Sequence, residues 1–221
     1  MASQIHLIRH AESVHNVSKD FSQLDPSLTQ LGFQQAAQLV QTFPYSERVA
    51  VVLTSPLQRA IQTTLAAFPH VLDKCYFDPN SGYGIQNGAK LVIDPDLQER
   101  SALPCDTGSH RSTLEKAFPR LSFERLEENW QLKEGLYSAD DEAVEERVRR
   151  VRRSLENLIG QLEDKEKKDV VVVTHGVFMK FVTGDLDIDL PKAGWKSYTL
   201  RKDDGNGFVL VPVEGTADRH L

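Results

Sequence analysis

The fold follows from one stretch near the start of the chain, which reads Ile5-His6-Leu7-Ile8-Arg9-His10-Ala11-Glu12-Ser13-Val14-His15-Asn16. An apolar segment of strand character leads directly into Arg9-His10 and then into a polar turn. This pattern places a fixed cation and a titratable imidazole at the end of a buried strand, which suits attack on a phosphate. A second copy of the pattern occurs at residues 170–176, where four valines and Thr174 precede His175-Gly176.

Strand-like and helix-like segments alternate outward from this stretch. Short segments rich in Val and Ile and bounded by turn residues predict strands over 4–9, 48–53, 90–94 and 169–174. Apolar residues at helical spacing predict helices over 29–43, 57–68 and 142–162. Because continuous apolar strands suit a parallel sheet covered on both faces, we expect a three-layer α/β/α sandwich with a mostly parallel central sheet.

The length and composition predict a single domain over residues 1–221. A chain of 221 residues that is 40% hydrophobic can bury one substantial core. The segment of about 101–137 is irregular, contains Pro, Gly and Ser, and carries several aromatic residues, so it is interpreted as a small lid insertion after a strand. We expect this insertion, together with the loop at 78–89, to set substrate specificity.

Charge and cysteine usage exclude several classes of partner. The net charge is −6 and no basic face is visible, which argues against nucleic acid. Cys75 and Cys105 are too few for a disulfide framework and favour a reducing compartment. No long apolar run or signal peptide is present, so we expect a cytoplasmic protein without a membrane partner.

Two expectations concern arginine residues in helices. The five arginines at 147, 149, 150, 152 and 153 alternate with glutamates at salt-bridge spacing, which predicts a solvated helix face. In the helix after the second strand, Ser55 reads as the N-cap and Pro56 as the first helical residue, which places Arg59 in the opening turn. A guanidinium group beside a helix N-terminus makes an anion site.

Candidate catalytic residues follow each predicted strand. They are Arg9 and His10, Arg59, Glu99 and His175. Ligands of open α/β sheets bind beyond the carboxyl ends of the strands, so these side chains should converge. A neutral His10 would attack phosphorus, the cations and His175 would hold the phosphoryl oxygens, Asn16 would add a donor, and a buried Glu99 would protonate the leaving group.

Four motifs together resemble the histidine phosphatase superfamily, the phosphoglycerate mutase-like proteins. They are Arg9-His10-Ala11-Glu12-Ser13 with Asn16, Leu28-Thr29-Gln30-Leu31-Gly32-Phe33-Gln34-Gln35-Ala36, Ser55-Pro56-Leu57-Gln58-Arg59-Ala60-Ile61-Gln62-Thr63, and Thr174-His175-Gly176-Val177. They occur in the family's order over roughly residues 4–185, so the match is specific.

The resemblance implies a role for each matching residue. His10 is then the phosphorylated nucleophile, and Arg9, Arg59 and His175 form the phosphate pocket. Asn16 and Ser13 are further substrate-binding residues, and Glu99 in Leu97-Gln98-Glu99-Arg100 is the proton donor. The resemblance implies no metal cofactor, and the chain has no metal-ligand spacing such as HxxxH or CxxC.

The sequence departs from the family's pattern at two places. Ala11 replaces the usual Gly and adds a methyl group where the backbone approaches phosphate, which predicts a slightly reshaped pocket. The segment 100–109 lacks the Arg-His-Tyr-Gly run of glycolytic mutases, which weakens a mutase interpretation.

The favoured hypothesis is an enzyme that hydrolyses a phosphate monoester, or a pyrophosphate, of a small metabolite through a phosphohistidine. Three alternatives remain open: a phosphoglycerate mutase-type phosphotransferase, a non-catalytic module that binds a phosphorylated ligand, and a repurposed enzyme acting on a phosphate-free metabolite. A small phosphorylated substrate is the expected partner, and a homodimer is left open. His15 and His110 are candidates for the substrate mouth, whereas His70 and His220 are expected to be exposed.

Overall fold

The computed structural model of the protein describes residues 2–203, 205 and 207–215, and one six-stranded β-sheet forms within them. Its strands are β1 (Ile5–Arg9), β2 (Val49–Thr54), β3 (Lys90–Ile93), β4 (Asp169–Thr174), β5 (Trp195–Lys202) and β6 (Phe208–Pro212). The α-helices of the same residues are α1 (Val14–Ser18), α2 (Gln30–Thr42), α3 (Gln58–Ala67), α4 (Arg111–Ala117), α5 (Asp141–Leu162) and α6 (Gly176–Thr183).

The sheet has the order β3-β2-β4-β1-β5-β6. The first four of these strands run parallel, whereas β5 is antiparallel to β1 and β6 is antiparallel to β5. The prediction of a mostly parallel sheet is confirmed, but the strand-pattern analysis missed β5 and β6. Their signal in the sequence is the glycine-containing segment at 203–207 between two short alternating segments.

Side chains of successive strand residues enter two different apolar layers. In β4, Val170 and Val172 pack with α5 and α6, while Val171 and Val173 pack with α2 and α3. This alternation follows from the two-residue period of a strand. Because both faces of the central strands are covered, the strands contain valine throughout, and the three-layer architecture is confirmed.

The boundaries of α2, α3 and α5 lie within one residue of the predicted ranges, whereas the sequence analysis missed the shorter helices α1, α4 and α6. Thr29 caps α2, with its Oγ1 accepting from the Gly32 amide at 2.9 Å. Ser55 is not the cap of α3, however, because Leu57 is the N-cap residue. The Gln58 amide donates to the Asp25 carboxylate at 2.9 Å, and Gln58, rather than Pro56, is the first helical residue.

The prediction of a solvated arginine face on α5 is wrong for Arg147. This side chain is fully buried, donates to the carbonyl oxygens of Gln98 and Asp96, and lies over the Phe178 ring at 4.7 Å. Burial lowers the pKa of Arg147 to about 10. The charge alternation in the sequence fits a surface, but carbonyl groups from another segment make the buried position favourable.

The segment at 101–137 packs into the core rather than standing apart from it. Its apolar residues join the same layer as α2 and α3, and the largest of them, Trp130, is fully buried. A Cβ on Gly108 would lie 2.0 Å from the Trp130 ring, so this contact requires glycine. The segment is therefore anchored along most of its length, and only its beginning reaches the pocket described below.

A buried carboxylate joins the chain start to the centre of the sheet. Asp169 of β4 accepts hydrogen bonds from the Gln4 amide, the Arg48 guanidinium and His6 Nε2. His6 Nδ1 in turn lies 2.8 Å from Ser197 Oγ. Burial alone would raise the pKa of Asp169, but the hydrogen bonds from His6 and Gln4 outweigh burial and lower it.

We expect Asp169→Asn to lower the free energy of unfolding by about 2–4 kcal/mol. The neutral amide loses the ion pair with Arg48, and its N–H₂ group faces one of the three hydrogen-bond donors that the carboxylate accepts from in wild type. A carboxylate whose pKa is lowered on folding stabilises the protein above its unfolded pKa, and this contribution disappears as the pH falls through the folded pKa. The difference from wild type should therefore shrink below about pH 4. Urea unfolding at neutral and acid pH measures it, with the exposed Asp164→Asn as control. Equal stability of both variants would contradict the prediction.

Two further expectations concern the exposure of His70 and His220. His70 is half-buried rather than exposed, with Nε2 3.0 Å from Ser46 Oγ, and His220 lies outside the described residues. Among the helices of the described residues, none combines the length and apolar character needed to cross a bilayer.

Candidate active site

The carboxyl ends of the four parallel strands bring the predicted catalytic residues together. His10 follows β1, Arg59 lies in the first turn of α3 after β2, Glu99 follows β3, and His175 follows β4. His10, Arg59 and Glu99 border a pocket of about 210 Å³, whereas His175 does not line it. The residues that line this pocket are Arg9, His10, His15, Asn16, Phe21, Arg59, Glu99, Leu103, Cys105, Asp106, Gly176, Val177, Lys180, Asp189 and Lys192.

The hydrogen bonds of His10 determine which ring nitrogen is free. Nδ1 lies 2.7 Å from the Ala11 carbonyl oxygen, which can only accept, so Nδ1 carries the proton. Nε2 accepts from Arg59 Nε at 3.3 Å and therefore has a lone pair. Burial, followed by the charges of Arg59 and Lys192, lowers the pKa of His10 well below its usual value. The two contacts and the lowered pKa together favour a neutral imidazole with the lone pair on Nε2.

His175 is fully buried behind the pocket, with its ring centroid 5.1 Å from that of His10. Ser55 Oγ accepts from the Leu57 amide and lies 2.8 Å from His175 Nε2, so it can donate its own proton to that nitrogen. This assignment leaves the proton on His175 Nδ1, which is buried and has no hydrogen-bond partner among the described residues. Burial lowers the pKa of His175 well below its usual value, which favours the neutral ring.

Both predicted phosphate-binding arginines contact carboxylates. Arg59 Nη2 pairs with Asp106 at 2.7 Å, and Arg59 Nη1 donates to the Cys105 carbonyl oxygen at 2.6 Å. Arg9 Nη1 pairs with Asp189 at 2.8 Å. A phosphate would have the charge and geometry to replace these carboxylates, because both groups bind guanidinium in the same way.

Glu99 combines a pocket-facing position with a helix-capping role. Its carboxylate accepts from the backbone amides of Arg100, Val177 and Phe178, and the latter two lie in the first turn of α6. Burial, followed by the charge of Asp106, raises the pKa of Glu99, although these hydrogen bonds oppose the rise. A raised pKa favours the protonated carboxyl that a general acid needs.

Ser13 and Asn16 have different positions relative to the pocket. Asn16 lines it, whereas Ser13 is buried beside Asn16 and is not among the lining residues. Ser13 Oγ donates to Asn16 Oδ1 at 3.0 Å, and the Asn16 amide nitrogen lies 3.0 Å from His15 Nε2. The third side of this network is the 3.1 Å contact between Ser13 Oγ and His15 Nδ1. The network orients the amide group of Asn16.

The remaining motif residues hold the backbone that follows His10. Thr29 N donates to the Glu12 carbonyl oxygen, and the Ala11 amide donates to Thr63 Oγ1 at 3.0 Å. A Cβ on Gly32 would lie 1.9 Å from the Glu12 carbonyl oxygen, so only glycine permits this approach of α2. The sequence showed these residues as motif positions without indicating this positioning role.

The expected effect of Ala11 on the pocket is not found. Ala11 is fully buried in the apolar layer with α2 and α3 and does not line the pocket. Its methyl group is part of the apolar core. Close approach is needed instead at Gly176, where a Cβ would lie 3.0 Å from the Arg9 guanidinium.

Sequence reasoning missed three lysines near the site: Lys180 of α6, which lines the pocket, and two others whose pKa is lowered. Lys192 lines the pocket, and burial followed by the charges of Arg9 and Arg59 lowers its pKa to about 7. Lys133 donates to the Glu99 carbonyl oxygen at 2.8 Å, and its pKa is also lowered to about 7, mainly by burial. Both lie in irregular segments without a motif, so no local pattern could have indicated them.

Of the two histidines predicted as candidates for the substrate mouth, only His15 lines the pocket. His15 lines the pocket, where burial lowers its pKa to about 4. His110 is exposed at the N-terminus of α4 and borders a different surface depression. Within the described residues, His15, Cys105 and Asp106 place possible metal ligands within 4.8 Å of one another. Arg59 already pairs with Asp106 there, so the surroundings favour an anion over a metal ion.

Comparison with known proteins agrees with this geometry. A curated Schizosaccharomyces pombe protein named as a probable phosphatase is 27% identical, over 95% of this chain and 96% of its own length. Phosphoglycerate mutase-like protein 1 of Arabidopsis thaliana is 26% identical over 79% of this chain and 68% of its own length.

The fold is shared with solved structures at lower identity. A mycobacterial glucosyl-3-phosphoglycerate phosphatase superposes with a TM-score of 0.58 at 17% identity, over 98% of this chain and 100% of the other. The family model of the histidine phosphatase superfamily (branch 1) matches residues 5–76 and 82–208. With the motifs and the sheet topology in agreement, the chain belongs to the histidine phosphatase superfamily.

Proposed function

We propose that the protein hydrolyses phosphate monoesters of small molecules through a phosphohistidine on His10. The observation that carries this proposal is the unprotonated His10 Nε2, which lies beside Arg59 in a pocket that also contains a carboxyl group with a raised pKa. These are the nucleophile, the charge stabilisation and the proton source that phosphoryl transfer needs.

The proposed reaction has two steps. His10 Nε2 attacks phosphorus, the bond to the ester oxygen breaks, and Glu99 transfers its proton to the departing alkoxide. Glu99, now a carboxylate, accepts a proton from water as the water oxygen attacks the phosphohistidine. The N–P bond breaks, inorganic phosphate forms, and neutral His10 and protonated Glu99 are restored.

Four side chains are proposed to bind the phosphoryl oxygens. Arg9 and Arg59 supply charge, and His175 Nδ1 and the Asn16 amide supply neutral donors. The unpartnered, buried His175 Nδ1 supports this assignment, since a buried donor without a partner is costly unless a ligand satisfies it. We propose that Ser13 acts through Asn16, by orienting its amide, rather than by contact with the substrate.

Hydrolysis is preferred over phosphoglycerate mutase-type transfer for this chain. The segment at 100–109 lacks the mutase-type run, and its Asp106 pairs with Arg59 in the pocket. The phosphatase name of the Schizosaccharomyces pombe relative supports the same choice. A requirement for bisphosphate priming would favour the mutase alternative.

The experiment that tests the function combines substrate screening with trapping of the intermediate. The purified protein is assayed with a set of phosphorylated metabolites and with nitrophenyl phosphate as a generic substrate. Brief reaction with a labelled phosphate ester, followed by alkaline quenching, should leave acid-labile label on His10. Turnover without any label on histidine, or no turnover with any phosphate, would contradict the proposal.

We expect activity to survive exhaustive chelation, because the proposed mechanism takes its positive charge from arginines and needs no metal ion. The measurement is kcat/KM before and after EDTA treatment and dialysis, with a metal-dependent phosphatase as a positive control for chelation. Loss of activity that a divalent ion restores would instead favour metal-assisted hydrolysis, with His15, Cys105 and Asp106 as candidate ligands.

We also propose a cytoplasmic setting with a small phosphorylated substrate as partner and without nucleic acid or membrane partners. Cys75 and Cys105 are both free thiols, as a reducing compartment allows. A homodimer remains a proposal that light scattering would test.

A further inference from the structure

Three apolar side chains meet at the mouth of the pocket although about half of each is exposed. Phe21 is 46% exposed, Leu103 is 49% exposed and Val177 is 46% exposed, and all three line the pocket. Single exposed apolar side chains are normal on a protein surface. Three that converge on one cavity from separate segments indicate a surface that contacts a ligand.

Phe21, Leu103 and Cys105 form what we call the apolar wall. A hydrogen bond of 3.2 Å from the Cys105 amide to the Phe21 carbonyl oxygen joins the two segments that carry it. The Phe21 ring also packs beside the His15 ring, with centroids 6.3 Å apart. Burial raises the pKa of the Cys105 thiol to about 11, so this side chain remains uncharged. The apolar wall is therefore held together by contacts within the protein and does not depend on a bound substrate.

We infer that the leaving group of the substrate is an alcohol with an apolar body about the size of one aromatic ring, which packs on the apolar wall and Val177. This inference rests on the proposed phosphatase function. The pocket holds about 210 Å³. An apolar cavity of about 150 Å³ holds one benzene ring, so the pocket has room for a phosphoryl group and one ring.

Charged side chains in the same pocket would favour a different leaving group, one that carries a negative charge. Lys180 and Lys192 also line it, and a leaving group with a carboxylate or second phosphate would use them. However, Lys192 lies near Asp189, which already pairs with Arg9, and the pKa of Lys192 is lowered to about 7. Near neutral pH its charge is therefore only partly present. Phe21, Leu103 and Val177, in contrast, each keep about half of their surface exposed at this pocket.

The test compares three primary alkyl phosphates, so that the basicity of the leaving group is similar. They are phenethyl phosphate, glycerol 1-phosphate and 3-phosphoglycerate, each with its phosphate on a primary carbon. We expect kcat/KM for phenethyl phosphate to exceed that for each of the others by about tenfold or more, because the ring leaves water when it packs on the wall.

Variants of the wall assign this preference to its side chains. Phe21→Ala should lower the ratio of kcat/KM for phenethyl phosphate to that for glycerol phosphate about tenfold, and Leu103→Asn should lower it in the same direction. Phe33→Ala is the matched control, since Phe33 is 43% exposed on α2 and does not line the pocket. Its ratio should equal that of wild type.

The outcomes separate this inference from the proposed function. Hydrolysis of nitrophenyl phosphate with a preference for phosphoglycerate, or a ratio that neither wall variant changes, would overturn the apolar leaving group and leave the phosphatase function intact. Failure to hydrolyse any of these phosphates would overturn both.

Discussion

We expect His10→Ala to lower kcat by about four orders of magnitude or more, since it removes the nitrogen that would form the covalent intermediate. The hydrogen bonds leave His10 Nε2 unprotonated, and burial keeps the ring neutral, so wild-type His10 needs no deprotonation before attack. The remaining pocket would still bind phosphate through Arg9 and Arg59. Residual turnover should then reflect binding and charge stabilisation only.

The measurement is single-turnover and steady-state hydrolysis of nitrophenyl phosphate, together with thermal unfolding of each protein. His110→Ala is the matched control, because His110 is exposed and lies away from the pocket. His10→Asn provides a second variant should the smaller side chain perturb the fold. A folded His10 variant with turnover close to that of wild type would exclude the phosphohistidine mechanism.

We expect Glu99→Gln to slow hydrolysis of alkyl phosphates by about two orders of magnitude and to change nitrophenyl phosphate hydrolysis much less. An alkoxide departs slowly unless it is protonated, whereas nitrophenolate can leave without a proton. Glu99, whose pKa is raised, would supply this proton in wild type, whereas an amide cannot. The effect therefore depends on the leaving group rather than on the phosphoryl group.

Arg59→Ala should slow both substrates together, because Arg59 would stabilise the phosphoryl oxygens that both share. The comparison uses kcat/KM for one alkyl and one aryl phosphate with each variant. Glu128→Gln, at an exposed position, is the control for a carboxyl-to-amide change. Equal losses on both substrates in Glu99→Gln would show that Glu99 is not the proton donor, and Asp106 would become the candidate.

Stability must be measured for Glu99→Gln because the carboxylate also caps α6. Both of its oxygens accept backbone amides, and a glutamine would direct its own N–H groups at one of these donors. We expect a destabilisation of about 1–2 kcal/mol. Such a loss of stability would lower kcat/KM for the alkyl and the aryl phosphate by the same factor. It would therefore not produce the expected difference between the two substrates.

The sequence by itself determined the parallel core and the strand ends that carry His10, Arg59 and His175. Valine-rich segments have to be buried, and a residue that directly follows such a strand is placed by the continuity of the chain. The motif around Thr29 and Gly32 was found through the family resemblance, which also rests on a short stretch of sequence. These features depend on neighbours within a few residues.

Only the tertiary structure decided which polar groups those strand ends meet. Arg147 belongs to a charged run that predicts a surface, yet the carbonyl oxygens of Gln98 and Asp96 make its buried position favourable. Lys192 and the pairing of Asp106 with Arg59 likewise depend on segments distant in the chain. Burial of a charged side chain is stable when other segments supply its partners, and a local pattern does not encode which segments will do so.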